Sequence, residues 1–79
     1  MPRFFFSVHN GRSELDTEGT ELTSHHAARL AAVHMAGELL RDEAYQPMHG
    51  DAWRLEVLDE TSRLVCCVEV NVSEPGTDR

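Results

Sequence analysis

Five histidines, two adjacent cysteines and a run of closely spaced acids are the side chains of this 79-residue chain whose types could do chemistry. Two imidazoles at i and i+4 of a helix would offer a metal a ready pair of ligands. His26 and His34 are instead eight apart, which on a helix sets them ~80° apart around the axis and ~12 Å along it. They cannot share an ion within one chain. His25 and His26 diverge by ~100°. The histidines therefore read as solvated imidazoles, and no metal and no cofactor is expected.

"ELDTEG", residues 14–19, imitates the opening of a calcium loop, with acids at the first, third and fifth places and glycine at the sixth. The twelfth place, which needs a bidentate glutamate, is His25. What remains is an acidic loop whose charges favour the positive N-terminal end of a following helix. Cys66 and Cys67 are neighbours and cannot close a useful loop, which fits a reducing compartment. A nucleophilic thiol needs an adjacent base or cation, and no Cys–His spacing supplies one. "NVS" at 71–73 fits a glycosylation sequon, which in a reducing compartment is chance.

The elements that must position these groups follow from periodicity. Residues 3–9 alternate, with Phe4, Phe6 and Val8 on one side and Arg3, Phe5, Ser7 and His9 on the other, the pattern of a strand. Asn10-Gly11 signals a hairpin, a short strand around 13–15 follows, and 20–22 extends the sheet edge. A helix is expected over about 24–44, with Thr23 or Ser24 as its N-cap. Ala28, Ala31, Ala32, Met35 and Leu39 form its apolar stripe, and Pro47 and Gly50 break the chain beyond it. A second hairpin pairs Trp53–Leu58 with Leu64–Val72 around a turn at 59–62.

The order is ββαββ: an α+β, two-layer fold in which one amphipathic helix packs on one face of an antiparallel sheet. Residues 1–72 make the single domain, and 73–79 a disordered polar tail. The expected core is Phe4, Phe6, Val8, Ala28, Ala31, Met35, Leu39, Leu55, Val57, Leu64, Cys66 and Val68.

Charge excludes several functions. Acidic residues outnumber basic ones fourteen to seven, every basic residue is arginine, and the net charge is −7. Phosphate binding needs a clustered basic surface, whereas these arginines are scattered, so no nucleic-acid partner is expected. The longest apolar run, "LVCCV", falls far short of the ~20 residues that span a bilayer, so no membrane is expected either. The N-terminus lacks a charged-then-apolar signal ending in small residues. Localisation is expected to be cytoplasmic.

"MPRFFFSVHNG", "DTEGTEL", "AARLAA" and "RLEVLDETSRLV" together resemble a family of small bacterial proteins. That family opens M-P-R-[FY]-[FY]-F and continues with a D-x-E-G-x-E-L loop, an alanine-rich helix and a closing hairpin with an acidic turn. The resemblance covers roughly residues 1–70. The family is catalogued as a domain of unknown function, so it implies a fold and no activity. This chain departs from it at 59–62, where "ETS" replaces the usual glycine. Pro2 followed by Gly11-Arg12-Ser13 also resembles the opening of the small βαβ tautomerases. That resemblance implies an exposed Pro2 amine as general base and Arg12 holding an anionic substrate. In those enzymes the helix follows the Gly-Arg-Ser almost directly, whereas "ELDTEGTEL" intervenes here.

Three adjacent phenylalanines leave one on the wrong side of a one-sided sheet. With Phe4 and Phe6 facing the helix, Phe5 lies on the opposite face, expected beside Leu58, Val65 and Cys67. These four form the first candidate interface. The second lies on the helix, where Leu30, Val33 and Leu40 fall off the core stripe beside Gly37 and His26. A domain this small buries only ~60% of the surface of its unfolded chain. Removing even about 400 Å² of apolar area from water is worth ~10 kcal/mol before the entropy of association is subtracted. The expected function is thus a non-catalytic interaction module, a homodimer or the partner of another protein, with the Pro2 tautomerase as alternative. Titrating calcium into the protein should leave its melting temperature unchanged, since a ligand of the native state must raise it. A rise of several degrees at millimolar calcium would restore the acidic loop as an ion site.

Overall fold

The computed structural model describes residues 1–11, 13–42 and 52–71. Arg12, the expected helix extension to 44, the breakers Pro47 and Gly50, the strand end at Val72 and the tail over 73–79 lie outside the described residues. Chain order is β1 (Arg3–His9), β2 (Ser13–Glu14), β3 (Thr20–Glu21), α1 (His25–Arg41), β4 (Ala52–Leu58) and β5 (Leu64–Asn71). All pairings are antiparallel, giving a sheet ordered β2-β1-β4-β5. The short β3 shares an edge with β2: it pairs with Arg3 and Phe4, while β2 pairs with Val8 and His9. The fold is α+β, an antiparallel sheet with one helix, as the periodicity implies.

Local chemistry explains where the elements begin and turn. Ser24 caps α1, its Oγ accepting the Ala27 N–H at 3.1 Å. The first ladder closes at His9↔Ser13, so the hairpin loop has three positions rather than two. Gly11 there takes φ 101°, which glycine adopts freely. In the β4–β5 turn, Asp59 Oδ1 accepts from the N–H groups of Thr61 (2.8 Å) and Arg63 (3.0 Å) and from the Thr61 hydroxyl (2.7 Å). The Thr61 hydroxyl bond leads in holding the Asp59 carboxyl below its ordinary range, with the Arg63 N–H next, against a small opposing effect of burial. Ser62 takes the left-handed conformation, φ 66°, which a glycine would occupy without strain.

Phe4, Val8, Trp53, Leu55 and Val57 are buried on the sheet under Ala28, Ala32 and Ala36 of α1. The parity of β1 is the expected one. Phe6, Met35 and Leu39 are only half-buried, because the helix packs chiefly over β4 and β5 and leaves the β1 side of the layer less covered; Ala31, Cys66 and Val68 are half-buried as well. Two positions of β5 differ from expectation. The β4–β5 register slips between Val57 and Leu58, so that Leu64 pairs with Leu58 and Cys66 with Val57. Val65 is the extra residue of this bulge. It packs against the core instead of joining Phe5 and Leu58 on the other face. Leu64, placed in the core by simple alternation, is 58% exposed.

Phe4, fully buried, should therefore carry more stability than Phe6. Phe4→Ala should cost ~3–5 kcal/mol, and Phe6→Ala distinctly less in the same denaturant melts. Equal losses at the two positions would contradict the helix placement.

Candidate functional site

On the sheet face away from α1, the residues of the acidic loop converge. The Asp16 carboxylate accepts three backbone N–H groups, each at 3.0 Å: Phe6 to Oδ2, and Glu18 and Gly19 to Oδ1. Asp16 in turn donates its own N–H to Ser7 Oγ at 3.1 Å. Burial alone would raise the Asp16 pKa, but the Gly19, Phe6 and Glu18 N–H groups outweigh it, aided by the charge of Arg3, and the carboxyl is held below its ordinary value near 3.8. Arg3 reaches over the same loop, Nη1 donating to the Glu18 carbonyl at 2.8 Å and Nη2 to Glu21 Oε2 at 3.2 Å. The Asp16 and Glu21 carboxylates are thus engaged with the loop and with β1.

This loop is what covers Phe5. Gly19 (φ 75°) lies so close that a Cβ there would stand 2.8 Å from the Phe5 ring and 2.7 Å from Arg3 Cγ. No other residue fits. Phe5 is half-buried and Ser7 is buried, although both point away from the helix.

A second cluster crosses the same face at the other end of β1. His9 Nδ1 and Ser13 Oγ share a hydrogen bond of 2.7 Å, and His9 Nε2 and Glu56 Oε1 one of 3.0 Å. Arg54 Nε donates to Glu56 Oε2 at 3.1 Å. That bond leads in drawing the Glu56 carboxyl below its usual range, against burial, with the charges of His9 and Arg54 adding. Hydroxyl, imidazole and carboxylate in sequence match the order of nucleophile, base and orienting acid. Here they link β2, β1 and β4 side chain to side chain, with the carboxylate shared by a guanidinium. Sequence reasoning missed this cluster: His9, Arg54 and Glu56 show as outward positions, but only the register His9↔Arg54 and Ser7↔Glu56 brings them together.

The remaining candidates are dispersed. Cys67 is exposed beside this cluster, and burial, Glu69 and Glu56 push its thiol up, with Arg54 opposing. Cys66, half-buried, is pushed up by burial against the pull of Arg29. Both thiols stay protonated at neutral pH and are poor nucleophiles. Pro2 is exposed, its carbonyl accepting the Leu22 N–H at 3.0 Å. Gly11 and Ser13, which flank Arg12 in sequence, stand at the opposite end of β1, ~20 Å away at 3.3 Å per residue. His25 meets the Phe4 ring edge-on at 5.6 Å, and His34 pairs with Glu38 at 3.4 Å.

Of the candidate interface residues, Phe5 pairs with Leu58 and Leu58 with Leu64, a short apolar row that Cys67 adjoins. Leu30, Val33 and Leu40 are exposed on the outer side of α1. A cleft of about 380 Å³ opens between α1 and the β2–β3 edge, lined by Phe6, Val8, Glu14, Leu15, Asp16, Thr20, Met35 and Leu39. Its walls are apolar and its rim acidic.

Residues 3–71 match the family model described as a domain of unknown function, DUF6894. No curated protein and no solved structure matches the chain.

Because the folded Asp16 pKa is depressed, its stabilising contribution is complete above about pH 4 and is lost as pH falls through the lowered value. Wild-type melting temperature should keep dropping between about pH 4 and 2. Asp16→Asn should melt lower at neutral pH and show a shallower slope over that interval. Parallel curves for the two proteins would remove Asp16 from the role of anchor.

Proposed function

The chain belongs to the DUF6894 family, and from that premise we propose that it is a non-catalytic protein-interaction module that pairs with a second copy of itself. The observation that carries this reading is the inverted dress of α1. Its buried residues are all alanine, whereas Leu30 and Val33 are each 53% exposed and Leu40 39%. A helix that serves only its own core normally turns its large apolar side chains inward. Alanines let α1 sit close on the sheet but remove little apolar area from water; Met35 and Leu39 are only half-buried, and Leu30, Val33 and Leu40 face outward. Contiguous exposed apolar surface of this kind marks an interaction site.

The opposite sheet face supports the reading less. Its apolar row of Phe5, Leu58 and Leu64 is shortened by the loop cover over Phe5 and by the departure of Val65 to the core. The setting we infer is the cytoplasm of a bacterium, where two adjacent free cysteines stay reduced. The chain's strong negative charge favours protein over nucleic acid as partner.

Light scattering on the purified protein should read twice the 8.9 kDa of the chain at micromolar concentration. A monomer persisting to millimolar concentration would end the self-pairing reading.

A further inference from the structure

β5 ends the sheet order β2-β1-β4-β5, and among the described residues no strand pairs with its outer edge. The opposite edge ends in the two-residue strands β2 and β3, too short to template a long partner. β5 is eight residues long and reads LVCCVEVN, with one charge, no lysine and no proline. Edge strands usually carry such blocking features. Here the single bulge, at the β4–β5 register slip, sits at the N-terminal end and leaves the rest of the strand regular. Its outward N–H and C=O groups form a template for another strand.

The Leu40 and Val33 part of the exposed stripe of α1 tilts towards that same side. Met35 and Leu39 line the cleft with Phe6 and Val8, so this flank of the helix faces β1. The helix packs on β4 and β5, so the opposite flank, which begins at Arg29, faces β5. At 100° per residue, Leu40 and Val33 follow Arg29 by ~20° and ~40°, further from Met35, with Gly37 and Leu30 beyond them. Positions 26, 30, 33, 37 and 40 step by four and three residues alternately, the spacing of a seam between paired helices. A Cβ on Gly37 would meet nothing within 4 Å, so another helix can approach closely there.

We propose that two copies of this chain join through β5, antiparallel and edge to edge, about a two-fold axis perpendicular to the sheet. The inference rests on the self-pairing reading and locates it. The axis extends the sheet from one copy into the next and keeps both helices on one face. With α1 centred between β4 and β5 and strands ~4.8 Å apart, the two helices stand roughly 10 Å apart, the distance of packed helices. A lone extended peptide would fill the edge but leave Val33 in water. A second copy brings both a free edge and an apolar stripe on the same side, and a two-fold makes each surface its own complement.

Amide hydrogen exchange on the wild-type protein, read residue by residue by NMR, tests this. The β5 amides that point away from β4 should be protected in the dimer as well as those that point towards it. Val33→Glu should weaken dimerisation at least tenfold and free only the outward set, while Phe5→Glu changes neither. If Val33→Glu proves unfolded by circular dichroism, Val33→Gln serves in its place. A dimer whose outward β5 amides exchange freely, or one lost with Phe5→Glu and kept with Val33→Glu, overturns the edge interface and leaves self-pairing standing. A wild-type monomer at millimolar concentration overturns both.

Discussion

The Asp16 carboxylate fills the gap between two short strands that share one edge of β1. Between the Phe4↔Thr20 and Val8↔Glu14 pairs, the β1 edge has no strand beside it, and the Phe6 N–H would be left without a backbone acceptor. An unpaired amide in a half-covered site costs about as much as a lost hydrogen bond. Asp16 supplies that acceptor from a side chain and, with its other oxygen, folds the loop by taking the Glu18 and Gly19 N–H groups. Because the loop is fixed there, β3 falls beside Arg3 and Phe4. Leu22 then reaches the core and hands its N–H to Pro2, and Ser24 is set to begin the helix.

The same loop makes the sheet two-sided. An antiparallel sheet with a helix on one face normally leaves the other to water. Here residues 16–19 cover the Phe5 and Ser7 end of the outer face, and the Ser13–His9–Glu56–Arg54 chain crosses the other end. Asp16, Glu21 and Glu56 are therefore engaged in holding strands and loop together. That assignment turns attention from chemistry to surfaces.

On the helix side the economy is different. Alanines at 28, 32 and 36 bring α1 close to β4 and β5, but a small side chain removes little area from water, and a domain of this size has little apolar area to spare. Met35 and Leu39 are only half-buried, and Leu30, Val33 and Leu40 are exposed.

What the sequence by itself determined was everything written in local periodicity. Alternation over 3–9 placed Phe4 and Val8 inward and Phe5 outward, a Ser24 cap and the 3.6-residue pattern marked α1, and the two hairpins followed from turn residues and strand spacing. The inverted helix was also legible, since Leu30, Val33 and Leu40 fall off the apolar stripe by arithmetic alone. Tertiary structure decided what depends on register between distant segments. The one-residue slip at Val57/Leu58 exchanged the faces expected for Leu64 and Val65, because a single extra residue reverses alternation beyond it. Asp16 looked like one acid among several until Phe6, ten residues earlier, lacked an acceptor. His9 and Glu56, forty-seven positions apart, met only when β1 and β4 paired. No pattern within either segment encodes that meeting, since it depends on which backbone groups find each other across the sheet.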